Sequence, residues 1–333
     1  MSNTREKNML PFNEKDMNIY GRHDVIDGEL ILYHSASGIE FSFEGSSVKI
    51  LLHSTGKSYM RVYVDGSKEG ERLAVLEGEN EYVVIDGIEA GRHTIRLVKA
   101  TEESEAIWTV KALVADSFLA PPQKSRLKIE FVGDSITAGY GVLGAENDVY
   151  SVDNSDSTKS YAYRTAHALD ANYSIIGWSG ICVKGHIYVP HLNMTQLYGQ
   201  VSNRNASAYE GGFDADVVVL NLGTNDTAYL LSGEDASYDE KFPEDYRALL
   251  TAIRAKNPRA HIICLYGMML VNEVISGGIQ AAIKALNDDK IVYNPFSFAP
   301  NQLGANGHPN DDGQRGYSEG LVNYLKSCIL NKL

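Results

Sequence analysis

The chain has 333 residues, long enough for two domains of ordinary size, and 44% of them are hydrophobic, which is enough to fill real cores. Its 43 acidic residues against 30 basic ones give a formal charge of -13, a field that repels phosphate backbones and anionic lipid, so neither nucleic acid nor a membrane is expected as a partner. The first twelve residues are polar and charged, no later run approaches the length of a membrane span, and the chain opens on Met1, so a cytoplasmic location is expected. Cys182, Cys264 and Cys328 are far apart, odd in number and set in apolar runs. Buried free thiols are predicted for all three.

Residues 18 to 116 alternate apolar and polar positions in short runs, as in Ile39-Glu40-Phe41-Ser42-Phe43 and Met60-Arg61-Val62-Tyr63-Val64. This is the texture of half-buried antiparallel strands. Asp65-Gly66 and Asp86-Gly87 follow two such runs and predict hairpin turns, while Glu89-Ala90-Gly91 precedes another run from His93. With no helical period of useful length, a β-sandwich of jelly-roll type is predicted over residues 1–120. Residues 117 to 126 contain Pro121-Pro122 among polar neighbours and predict a linker.

From residue 121 to 333 the texture changes to strands separated by helices. Apolar runs at 127–132, 173–176, 215–222, 260–265 and 290–293 predict buried strands. Helical spacing is present at 159–171, at 243–256 with Pro243 in the first turn, at 275–286, and in a last helix from Asp311 that carries Tyr317, Leu321, Tyr324, Leu325 and Cys328 on one face. Alternating strands and helices predict an α/β domain, a parallel sheet with helices on both faces. Residues 141 to 158, rich in Gly, Asn, Asp and Ser, are predicted as a loop that either shapes a site or moves.

Four turns stand where such sheets keep their sites, at or near strand ends. They are Gly133-Asp134-Ser135 after the first strand, Trp178-Ser179-Gly180 after the second, Gly223-Thr224-Asn225-Asp226 after the third, and Gly307-His308-Pro309-Asn310 ahead of the last helix. In this order they resemble the SGNH (GDSL-like) hydrolases over roughly residues 127 to 333, with Ser135, Gly180, Asn225 and His308 matching the family's four named residues. The resemblance implies a three-layer α/β/α hydrolase domain with Ser135 as nucleophile and His308 as base. It also implies an oxyanion hole made by the backbone N–H of Ser135, that of Gly180 and the side-chain amide of Asn225. Asp134 and Asp226 read as residues that pin loops.

One position departs from the family's pattern: Ala305 stands three residues before His308, where many members carry an Asp. Asp311 and Asp312 read as caps of the last helix, so a Ser-His dyad with the base held by a main-chain carbonyl is expected. A sandwich ahead of such a domain, with a Gly-His-Pro turn lacking the upstream Asp, resembles carbohydrate esterase family 2. That resemblance implies removal of acetyl groups from xylan- or mannan-type oligosaccharides. Trp178, Tyr229 and Tyr266 stand near the motifs and either stack on a sugar ring or pack in the core. Two other readings use the same residues: a short-chain lipid or acyl-thioester hydrolase, and a carbohydrate-binding protein without catalysis. His186 and His191 lack a Cys, Asp or Glu cluster to complete a metal site, and Gly139-Tyr140-Gly141 is too short for a dinucleotide fingerprint, so neither a metal nor another cofactor is expected.

Overall fold

The computed structural model describes residues 8–210, 212–297 and 302–332. The chain divides into two compact units, the first ending at Lys124 and the second beginning at Ser125.

The first unit is an antiparallel β domain. Its strands are β1 (Asn8–Pro11), β2 (Asn18–Tyr20), β3 (His23–Ile26), β4 (Glu29–Leu32), β5 (Gly38–Ser54), β6 (Ser58–Val64), β7 (Glu71–Val75), β8 (Gly78–Ile85), β9 (Gly91–Lys99) and β10 (Trp108–Leu119). The 17-residue β5 organises them: it pairs β10 on one edge and, on the other, β9 over residues 38–45 and β8 over 48–54. Its inward residues are odd-numbered before residue 45 (Ile39, Phe41, Phe43) and even-numbered after it (Val48, Ile50, Leu52), all essentially unexposed. A strand keeps one face inward through such a change of parity only where the pleat is interrupted. The interruption falls at Gly45, whose φ is +150° and whose Cβ, if present, would stand 2.6 Å from Asp116 Oδ2.

This long strand also corrects two expectations. Asp65-Gly66 does form a tight turn, both residues at positive φ with the Ser67 N–H donating to the Val64 carbonyl at 2.9 Å, between the paired β6 and β7. Asp86-Gly87 is not a hairpin tip, because β8 and β9 lie end to end along β5 and it merely connects them. The linker begins later than residue 117: Ser117, Phe118 and Leu119 complete β10 against β5, and the Phe118 ring packs 6.2 Å from Phe41.

The second unit holds β11 (Lys128–Gly133), β12 (Asn172–Gly177), β13 (Val217–Asn221), β14 (His261–Leu265) and β15 (Ile291–Tyr293), all parallel, in the order β12-β11-β13-β14-β15. Every strand predicted for this unit is present. Side chains of both parities are buried, as helices on both faces require. Val132, Ile176, Val218, Leu220 and Ile262 meet α5 (Tyr238–Lys256) and α6 (Glu273–Leu286), whereas Phe131 on the opposite face meets Tyr161 of α2 (Tyr161–Ala168), which packs on α7 (Asp311–Tyr324). The chain leaves β11 to one side for β12 and returns to its other side for β13. The carboxyl end of β11 is therefore the switch point where such sheets open a crevice.

Two helices differ from expectation. α5 starts at Tyr238, so Pro243 lies inside it; Asp235 folds the entry by accepting from Ser237 N–H and Oγ–H, and Tyr238 and Phe242, one turn apart, are both buried in the core. After α7 a wider turn over Leu325–Ile329 advances the register, so Leu325 and Ile329 face inward and Cys328 is exposed. Cys182 and Cys264 are buried free thiols.

Candidate active site

Ser135 opens the single helical turn α1 (Ser135–Ala138) directly after β11. A Cβ on Gly133 would fall 2.1 Å from Thr137 Oγ1 and 2.8 Å from the Asn221 carbonyl, so only glycine lets the chain turn this tightly against β13. Asp134 fixes the turn by accepting from Ile136 N–H at 3.0 Å, and Gln314 of α7 ties it to α2 by donating to the Ile136 carbonyl and accepting from Tyr161 N–H.

His308 reaches Ser135 from the segment before α7, its Nε2 2.8 Å from Ser135 Oγ. Its Nδ1 faces the main-chain carbonyl of Asn306 at 3.3 Å, an acceptor that leaves Nε2 free to take the serine proton. Asn306 achieves this by adopting φ +51°, a left-handed conformation that Asn tolerates better than most residues. The two neighbouring acids are turned elsewhere. Asp311 pairs with Arg164 and Arg315, Asp312 pairs with Arg315 at 3.0 Å, and the cap of α7 is Asn310 rather than either of them.

The Gly-rich loop after α1 anchors the histidine segment: the Gly141 carbonyl accepts from Ala305 N–H at 3.1 Å and the Asp148 carbonyl from Asn306 N–H at 3.0 Å. Within it Tyr140 lies between two rings, stacked on Tyr150 at 3.8 Å and set against His308 at 4.4 Å. Burial lowers the pKa of His308 below the ordinary imidazole value, with the Asn306 and Ala305 carbonyls opposing that shift. A base must be neutral to accept a proton, so the acid limb of kcat/KM is expected below the ordinary histidine value of about 6.5. A limb at or above that value in a pH–rate profile contradicts this.

Gly180 and Asn225 stand on the same cavity as Ser135 and His308. Gly180 has φ +81°, and a Cβ there would meet the Tyr188 Cβ at 2.7 Å. Asn225, in the first turn of α4 (Thr224–Ser232), donates one amide hydrogen to the Ile181 carbonyl at 3.0 Å, which orients the group; its second hydrogen has no acceptor among the described residues. Ser135, His308, Gly180 and Asn225 line one cavity of about 380 Å³, walled also by Tyr140, Tyr188, Met269 and Leu270.

Asp226, next in sequence, is fully buried and braces this wall. Its Oδ1 accepts from Val183 N–H at 2.9 Å and from the Tyr238 hydroxyl at 2.6 Å, while Oδ2 is buried with no hydrogen-bonding partner among the described residues. Desolvation pushes its pKa up to about 6, against 3.8 for the free side chain. Between roughly pH 4 and pH 6 the folded protein therefore holds a proton that the unfolded chain has released, and stability falls as pH rises through that window. Asp226→Asn keeps the Oδ1 acceptor and removes the titration, so its thermal stability at pH 7 is expected to equal or exceed that of the parent and to lose the dependence between pH 4 and 6. Thermal unfolding across that range checks this, and a large loss at pH 7 contradicts it.

The three aromatics expected at a sugar site do not line this cavity. Trp178 is only 8% exposed and sits in the core beneath the second strand end. Tyr266 is 2% exposed, with its hydroxyl bonded to Thr227 and Asn272 below Gly223. Tyr229 packs edge-on against Tyr238 at 4.6 Å and faces a separate cavity lined by Lys184 and Asp235. The rings that do line the Ser135 cavity are Tyr140 and Tyr188, with Tyr150 stacked on Tyr140. The signal for the first was Tyr140 itself, a ring between two glycines just past the serine turn. Among the described residues no group of three or more His, Cys, Asp or Glu side chains is placed to hold a metal ion. Nor is any helix among them long and apolar enough to cross a membrane.

Residues 131–315 match the GDSL-like lipase/acylhydrolase family, and residues 19–122 match the carbohydrate esterase 2 N-terminal domain. The chain is 31% identical over 294 residues to the cellulase/esterase CelE of Acetivibrio thermocellus, covering 83% of this chain and 34% of that much longer protein. It is 24% identical over 306 residues to an acetylxylan esterase/glucomannan deacetylase of Cellvibrio japonicus, covering 86% and 82% of the two chains. Its fold superposes with a TM-score of 0.84 and 26% identity on a family two carbohydrate esterase from Clostridium thermocellum in complex with cellohexaose, covering 93% of this chain and 98% of that one. The chain therefore belongs to the GDSL-like lipase/acylhydrolase family, with the N-terminal domain of family 2 carbohydrate esterases ahead of its hydrolase domain.

Proposed function

We propose that this protein is a carbohydrate O-acetyl esterase, removing acetyl groups from xylan- or mannan-type oligosaccharides through a Ser135–His308 dyad. The observation that carries the reading is the 2.8 Å contact between Ser135 Oγ and His308 Nε2 in a cavity that also holds Gly180 and Asn225. The named activities of the relatives, esterase, acetylxylan esterase and glucomannan deacetylase, supply the substrate class.

In the first half-reaction Ser135 Oγ attacks the acetyl carbonyl carbon while its proton passes to His308 Nε2. The carbonyl oxygen becomes an oxyanion held by the Ser135 and Gly180 N–H groups and the free Asn225 amide hydrogen. Collapse breaks the bond to the sugar oxygen, which leaves with the proton from Nε2, and an acetyl-Ser135 ester remains. Water then attacks that ester, gives its proton to Nε2, and acetate departs as Ser135 regains its hydrogen. Throughout, the Asn306 carbonyl holds Nδ1–H and keeps the ring aligned.

Release of acetate from acetylated xylo- and manno-oligosaccharides, compared with aryl esters of increasing acyl length and with acyl thioesters, tests the assignment. Acetylated sugars are expected to give the highest kcat/KM; a maximum at longer acyl chains or at thioesters would replace this reading with that of a lipid or thioester hydrolase. Asn225 donates to charge that develops only in the transition state, so Asn225→Ala is expected to lower kcat by about 10²–10³ with little change in KM. An unchanged kcat would leave Asn225 as a turn residue.

A further inference from the structure

His308 has a main-chain carbonyl where a carboxylate would stabilise the imidazolium, yet one of its faces is covered by an aromatic ring. The Tyr140 ring centroid stands 4.4 Å from that of His308 with the planes inclined by 40°, and Tyr150 backs Tyr140 at 3.8 Å with the planes 11° apart. Tyr140 is also tied to the residue that holds the base, since its hydroxyl accepts from Asn306 Nδ2 at 3.1 Å while the Asn306 carbonyl faces His308 Nδ1. The glycines on either side fix its place: Gly139 and Gly141 have φ of +80° and +61°, and a Cβ on Gly139 would meet the Asp156 carbonyl oxygen at 2.5 Å, one on Gly141 the Ala305 Cβ at 2.9 Å.

We propose that Tyr140 is a positioning residue that acts through His308, its ring face stabilising the imidazolium formed when Ser135 gives up its proton. The inference rests on the reading of Ser135 and His308 as nucleophile and base. An aromatic face within about 6 Å attracts a cation through the ring quadrupole, and the attraction grows when water is excluded. At this site the attraction favours the charged ring over the neutral one, which is the preference a carboxylate otherwise supplies. Tyr150, parallel to Tyr140, prevents the ring from swinging off the histidine. Tyr140 also lines the cavity, so its action through His308 has to be separated from direct contact with substrate.

The test places phenylalanine and then mono-, di- and trifluorophenylalanine at position 140, a series that preserves ring shape while weakening the negative face. Two quantities are read: the His308 pKa by NMR in the protein without substrate, and kcat and KM for p-nitrophenyl acetate. The pKa is expected to fall stepwise with each fluorine, and kcat to fall about three- to tenfold across the series with KM nearly constant. A pKa and kcat that are both flat across the series would overturn the proposal and leave the ring as a wall. A KM that rises at constant kcat would overturn it too, making Tyr140 a substrate contact. Because the pKa is measured without turnover, a protein that hydrolyses no ester but shows the stepwise fall would defeat the esterase reading and not this one.

Discussion

Ser135→Ala is expected to abolish ester hydrolysis, lowering kcat by about 10⁵–10⁶, while the protein remains folded. The size follows from what the hydroxyl does: without Oγ no acyl-enzyme forms, and the donors at Gly180 and Asn225 retain only the small acceleration available to water attacking a polarised ester. Stability should be nearly untouched. Ser135 heads a helical turn whose cap is Asp134 and whose anchor is Gln314, and alanine is compatible with a helical position. Circular dichroism and thermal unfolding check the fold, and isothermal titration with an acetylated oligosaccharide checks that binding survives. Activity within about tenfold of the parent would exclude Ser135 as nucleophile.

His308→Ala should be nearly as severe, about 10⁴ or more in kcat, because it removes the base that stands 2.8 Å from Ser135 Oγ. The informative comparison is with its surroundings. Asn306→Gly preserves the left-handed backbone and the carbonyl facing Nδ1, so most activity should remain once the lost side-chain bond to Tyr140 is allowed for. Asp311→Asn and Asp312→Asn should also stay close to the parent, since these acids meet Arg164 and Arg315 and not the imidazole. A loss of about 10³–10⁴ in kcat from either aspartate change, in a folded protein, would establish a triad with its acid downstream and would contradict the dyad.

The strands of the hydrolase domain were legible because burial on both faces leaves unbroken apolar runs such as Val217-Val218-Val219-Leu220. That Ser135, Gly180, Asn225 and His308 meet at one cavity was legible because each sits in a turn whose composition departs sharply from the strand or loop before it. What the pattern did not contain was direction. Trp178 and Tyr266 follow strands that end at the site, yet both side chains turn inward to fill space under it, and a sequence does not mark which way a ring points after a strand stops. The pairing of β8 and β9 with one long partner was hidden for a similar reason: Asp86-Gly87 has hairpin chemistry, and only the length of β5 makes a different use of it. Cys328 was misplaced because helical spacing was extended through a turn that is wider than an α-helix. The carbonyl that holds His308 depends on φ at Asn306, where the signal was an Asn-Gly pair just before the histidine.

The most direct measurement is covalent trapping. The intact protein is treated with a serine-directed aryl phosphonate, residual acetate release is followed, and the modified residue is mapped by peptide mass spectrometry, with acetylated xylo-oligosaccharide added as competitor. The account predicts one stoichiometric adduct on Ser135, formed in step with loss of activity, slowed by the oligosaccharide and strongly retarded in His308→Ala. Inactivation with the adduct on another residue, or full activity after Ser135 is modified, would contradict it.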